Sequence, residues 1–146
     1  MISLFLDTSA VIASLASATG GSRELMRLGE SGAVTLTVST DVLSEAESVV
    51  RRKLPHGLDE LAETLIRARI ETVPSATPTI LRSLKSAISY AQDRAIVGAA
   101  VRAGVDYFVS FDRKHLIGNH RLMVLVPFPI GTAANFLDWY RKRLIA

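Results

Sequence analysis

Ile2-Ser3-Leu4-Phe5-Leu6-Asp7-Thr8-Ser9 sets an apolar run against a carboxylate, and far along the chain Val105-Asp106-Tyr107-Phe108-Val109-Ser110-Phe111-Asp112 does so again. Short continuous apolar runs suit buried strands. An acid at the exit of such a strand points into the crevice where open α/β sheets bind ligands. Two more acids stand at comparable places: Asp93 opens a helical stretch, and Glu45 lies inside another. Carboxylates gathered together repel one another unless a positive charge sits between them, and a divalent cation supplies it.

Outward from these stretches, strand and helix patterns alternate. Ile2 to Leu6 reads as a first strand and Ser9 to Ala16 as a short helix. Ser22 is placed to cap a helix from Arg23 to about Gly29. Ala33 to Val38 is β-rich. Thr40 or Asp41 caps a helix reaching about Leu54, and Pro55 and Gly57 break the chain before a helix from Leu58 to Ile70. Glu71 to Val73 reads as a short strand, Pro74 to Pro78 as a loop, and Ile80 to Tyr90 as helical. The helix from Asp93 to Ala103 stops at Gly104. Val105 to Phe111 is a strand, Leu122 to Val126 a further one, and Ala133 to Leu144 the last helix. Strands separated by helices predict a three-layer α/β/α fold with a mostly parallel sheet of four to five strands, spanning residues 1–146 as one domain.

A hydrophobic fraction of 49% over 146 residues excludes a disordered chain and allows a sizeable core. With no cysteine, disulfides, thiolate zinc sites and a Cys nucleophile are excluded. The formal charge of +3 leans mildly toward a polyanionic partner. Leu15-Ala16-Ser17-Ala18 has the small residues of a signal cleavage site, but no Lys or Arg precedes it and Asp7 interrupts the apolar stretch. No run reaches the length of a membrane span, so the expectation is a soluble cytoplasmic protein.

Each acid has an ordinary alternative. Glu45 borders the stripe Val42, Ala46, Val49 and Val50 and so faces the body of the protein, or reaches water and pairs with Arg52; Glu47 pairs with Arg51 at i+4. Asp93 is a ligand or a helix cap. Asp7 and Asp112 can each cap the turn or helix that follows them. Four such acids at the element ends of one small α/β chain form a more demanding pattern than any one alone.

The ordered set resembles the PIN domains, metal-dependent nucleases that include the VapC-like toxin ribonucleases of toxin–antitoxin pairs. The matching pieces are Leu6-Asp7-Thr8-Ser9; Ser39 with Leu43-Ser44-Glu45; Asp93-Arg94-Ala95-Ile96-Val97-Gly98-Ala99-Ala100; and Gly104 through Asp112. Lys114-His115-Leu116, Val124-Leu125-Val126-Pro127 and Asn135-Phe136-Leu137 resemble the family's C-terminal end. The resemblance implies that Asp7, Glu45, Asp93 and Asp112 form an acidic pocket binding Mg²⁺ or Mn²⁺. It implies that Thr8, Ser9 and Ser110 support those acids or position water. Where many members carry a further carboxylate, this chain has Arg113, Lys114 and His115.

Asp7 and Asp112 are the expected main metal ligands, with Asp93 completing the set and Glu45 orienting or deprotonating a water. Hard oxygen ligands suit these cations, which acidify water and neutralise phosphate charge. Arg94, Arg113, Lys114 and His115 are expected to meet an RNA backbone. Arg51-Arg52-Lys53 and Arg141-Lys142-Arg143 read as solvated helix faces. Tyr107, Phe108 and Phe111 are expected in the strand core, and Phe136, Trp139 and Tyr140 on the apolar side of the last helix. The resemblance also implies a small antitoxin partner and a homodimer; Pro55 to Ile70 (Leu58, Leu61, Leu65) is either ordinary core packing, the favoured reading, or a candidate contact surface for such a partner.

Other enzymes that begin with a strand and an Asp fit less well. A dehalogenase-like phosphatase needs an acid where Ser9 stands, a receiver domain needs an early acidic pair, and Gly20-Gly21 is too little for a phosphate loop. The remaining rival is a PIN-fold module that binds RNA or protein without catalysis.

Overall fold

The computed structural model describes residues 1–17 and 19–146; Ala18, the end of the Leu15–Ala18 segment considered above, lies outside the described residues. Five strands form an all-parallel sheet in the order β3-β2-β1-β4-β5, with β1 Ser3–Leu6, β2 Thr35–Ser39, β3 Glu71–Val73, β4 Tyr107–Val109 and β5 Ile130–Gly131. Among the described residues, eight helices complete the three-layer arrangement: α1 Thr8–Ala16, α2 Gly21–Glu30, α3 Thr40–Lys53, α4 Gly57–Arg67, α5 Pro78–Ser83, α6 Ala91–Ala103, α7 His120–Leu125 and α8 Ala133–Leu144. Among the described residues, no helix is long and apolar enough to cross a membrane.

Parallel strands covered on both faces must be apolar on both. Accordingly Leu4, Phe5 and Leu6 are all fully buried, as are Phe108 and Val109 beside them. The Phe5 and Phe108 rings stack at 5.2 Å, and Phe128 stacks on Phe108 at 5.9 Å. Tyr107 and Phe136 meet edge-on at 5.2 Å, with Trp139 and Tyr140 packed behind them. The strand order reverses between β1 and β4, so the crevice of a doubly wound sheet opens at the carboxyl ends of these two strands.

Several elements differ from the sequence expectation. The segment around Leu122–Val126 is helical, not a strand. Asn119 caps α7 by accepting the Leu122 N–H at 3.1 Å, and one turn then buries Leu122 while Val124 stays 85% exposed. A short apolar run without alternation fits either state, and the last strand instead follows Pro129 as Ile130–Gly131.

The helix expected from Ile80 to Tyr90 ends after Ser83. Carbonyls beyond it are taken by other elements: Arg121 Nη1 donates to Ser86, Asn119 Nδ2 to Ala87, and Arg94 Nη1 to Ile88 and Ser89. The caps also shift: Gly20 precedes α2, leaving Ser22 inside it, and Ser39 rather than Thr40 or Asp41 caps α3 through the Val42 N–H.

Candidate metal centre

In the β1–β4 register Leu6 lies beside Val109, so the next residues, Asp7 and Ser110, leave the sheet together. The Asp7 N–H donates to the Val109 carbonyl at 3.0 Å. Ser110 Oγ donates to Asp7 Oδ2 at 2.8 Å, and the Thr8 N–H donates to Asp7 Oδ1 at 2.8 Å. The capping alternative thus holds for Asp7, which starts α1 with one oxygen while the other turns toward β4.

Ser110 joins two acids. Its Oγ also accepts the Asp112 N–H at 3.0 Å. Asp112 in turn accepts the Lys114 and His115 N–H groups on Oδ1, at 3.1 and 2.9 Å, and meets His115 Nδ1 with Oδ2 at 3.2 Å. Asp112 therefore also caps its turn, and the turn is what brings His115 back over it.

Asp93 does not cap its helix. Tyr90 is the N-cap of α6, and Asp93 lies within the first turn. One ligand atom each from Asp93, Asp112 and His115 lie within 4.8 Å of one another. Glu45 accepts from Gln92 Nε2 at 3.2 Å, which ties it to the residue beside Asp93. Arg52, its alternative partner, donates instead to the Ser48 carbonyl at 3.3 Å. Glu47 and Arg51 pair as expected, at 2.8 Å.

The charges of these acids are felt across the cleft. Burial pushes the Asp7 carboxyl up from 3.8 to about 6, against the Ser110 and Thr8 hydrogen bonds that hold it down, and the Glu45 and Asp93 charges push it further. Asp93 is raised by its own partial burial, then by Asp112 and Glu45, with His115 opposing. Asp7 thus lies in the fields of Glu45 and Asp93, and Asp93 in those of Asp112 and Glu45. Among the described residues, Asp93, Asp112 and His115 form the group of three that could share an ion.

The donor set suits a hard divalent cation: carboxylate oxygens dominate, and one imidazole nitrogen is at the rim. Thr8 Oγ1 is buried with no hydrogen-bond partner, a polar group such a site would leave for a water. Ser9 is committed otherwise, its Oγ accepting the Phe111 N–H at 3.0 Å.

The basic residues divide. Arg94, expected at the substrate, gives Nη1 to the Ile88 and Ser89 carbonyls at 2.8 Å each and clamps the loop before α6. Arg113 and Lys114 are exposed beside Asp112. Two residues at the site carried no sequence signal: Gln92, which holds Glu45, and Asn119, whose Nδ2 joins the Ala87 and His115 carbonyls; Phe111, expected in the strand core, is instead 40% exposed. Phe111 leaves the strand because β4 ends at Val109, two residues earlier.

An all-parallel α/β sheet with carboxylates drawn together at its switch point defines a class of proteins with oxygen-rich clefts. The chain belongs to the PIN domain family, whose model matches residues 3–114. A chain of the crystal structure of VapBC2 from Rickettsia felis, bound to a DNA fragment from their promoter, shares the fold with a TM-score of 0.65. That match has 14% identity and covers 89% of this chain and 98% of that one. No curated protein matches the sequence at a significant level.

Proposed function

We propose that the chain is a metal-dependent endoribonuclease, the toxin of a type II toxin–antitoxin pair. The observation that carries the reading is the gathering of carboxylates beyond the carboxyl ends of β1 and β4: Ser110 Oγ bonds both Asp7 and the Asp112 N–H, and ligand atoms of Asp93, Asp112 and His115 lie within 4.8 Å of one another. Membership of the PIN domain family and the VapBC2 likeness support it.

In this reading Asp93 and Asp112 hold the ion with Asp7 beside them. Ser110 fixes Asp7 and the Asp112 backbone in one geometry. Mg²⁺ or Mn²⁺ would supply an acidified water and positive charge facing the phosphate. Glu45, steadied by Gln92, takes a proton from the attacking water as its oxygen adds to phosphorus and a ribose oxygen departs. Thr8 Oγ1 is free to orient that water. Arg113 and Lys114 meet the flanking phosphates, while His115 holds Asp112 in place.

An antitoxin would sit on α4, where Leu58 and Ile66 are exposed although Leu61 is core. The toxin reading also carries a homodimer, testable by light scattering. The central test is cleavage of single-stranded RNA with Mn²⁺ by wild type and by Asp7→Asn. Activity in the wild type alone supports the reading; cleavage by Asp7→Asn at the wild-type rate removes it.

A further inference from the structure

An open cleft of about 460 Å³ is lined by Ile12, Ala13, Val49 and Phe111 together with Thr8, Ser9 and Glu45. It is mostly apolar, yet it borders a cluster of acids. Among the described residues that line it Phe111 is the only aromatic, and this residue is 40% exposed. Its backbone is pinned from below, because its N–H donates to Ser9 Oγ at 3.0 Å. Asp112, the next residue, is pinned by Ser110 at 3.0 Å. The ring is thus presented by a fixed backbone immediately next to a proposed metal ligand. Tyr90, also exposed, is occupied differently, packing edge-on against His115 at 5.1 Å.

We propose that the Phe111 cleft is a nucleobase subsite, in which a base flanking the scissile phosphate of single-stranded RNA stacks on the Phe111 ring over Ile12 and Val49. The proposal rests on the nuclease reading and names its substrate class. An unpaired base offers a flat apolar face that matches such a wall, while a base within a duplex has both faces covered. Arg113 and Lys114, exposed just beyond Asp112, stand where the backbone of that strand would pass. Stacking on the ring is tolerant of sequence, because every base has a flat face to offer it.

The test is a titration of a 2-aminopurine-labelled single-stranded oligoribonucleotide with the full chain, carrying Asp7→Asn to prevent cleavage. Phe111→Leu is expected to weaken binding about tenfold or more, whereas Phe111→Tyr keeps it within a few-fold. Binding of a duplex should not respond to either change. Photocrosslinking of a 5-iodouridine strand to protein with Phe111 intact adds a measurement free of folding effects, and the adduct should map to Phe111. Unchanged affinity in Phe111→Leu, or adducts confined to the basic surface, would overturn the subsite and leave the cleft to a side chain of a protein partner. If wild type cleaves no RNA but Phe111→Leu still weakens binding, the nuclease reading fails and the stacking subsite stands.

Discussion

Asp7→Asn should make the metal-free protein more stable while destroying its activity. Asp7 is 9% exposed, and burial lifts its carboxyl from 3.8 to about 6. That difference, about 2.2 pH units at 1.36 kcal/mol each, means that holding the charged form in the folded state at pH 7 costs about 3 kcal/mol. The sign follows from proton binding. Between pH 3.8 and about 6 the folded state holds the proton more tightly than the unfolded state. Stability from this group is therefore fully present below pH 3.8 and is lost as pH rises through about 6.

Asparagine carries no charge and keeps an acceptor for the Thr8 N–H. It gives up the charged partner of Ser110 Oγ, a loss of about 1 kcal/mol. The net gain at pH 7 is about 2 kcal/mol, or roughly 6 °C in Tm for a chain of this size. Thermal melts of both proteins in EDTA, at pH 7 and at pH 4, measure it. The gain should shrink toward zero or reverse at pH 4. An Asp7→Asn protein that melts below wild type at pH 7, or gains equally at both pH values, would refute an Asp7 strained by burial and like charge.

Ser110→Ala removes the hydroxyl that serves both Asp7 and the Asp112 N–H, and should lower stability by about 1–3 kcal/mol in urea melts and reduce kcat rather than raise KM. Arg94→Met frees the Ile88 and Ser89 carbonyls, so amide exchange should rise in residues 86–90 while the salt dependence of RNA binding stays as in wild type. Arg113→Ala with Lys114→Ala should flatten that salt dependence instead. Val124→Lys should change stability by less than about 0.5 kcal/mol, because this position of α7 is solvent-exposed; a buried strand would not tolerate it.

The strands carrying the acids were legible because their signals were strong. β1 and β4 are short, apolar on both faces and ended by polar residues, so their pairing and the approach of Asp7 to Ser110 follow from a parallel sheet. The C-terminal region was less legible. Met123-Val124-Leu125-Val126 has no period to choose between strand and helix, and the deciding group is the Asn119 side chain upstream. The loop before α6 depends on carbonyls captured by Arg94 and, from beyond any local window, by Asn119 and Arg121. Phe111 was expected in the core for a related reason. Its neighbours are strand-like, but the strand stops at Val109 and its ring turns to the cleft. His115 reads from sequence as a contact to phosphate, because only the Asp112 turn, invisible in spacing, folds it back onto Asp112.

The central claim is that separate acids join into one site able to hold a hard cation. Calorimetric titration of Mn²⁺ into wild type, Asp93→Asn and Asp112→Asn tests it most directly. A saturable heat in wild type that disappears in both variants is the predicted result. Equal binding by all three proteins, or none by the wild type, would contradict it.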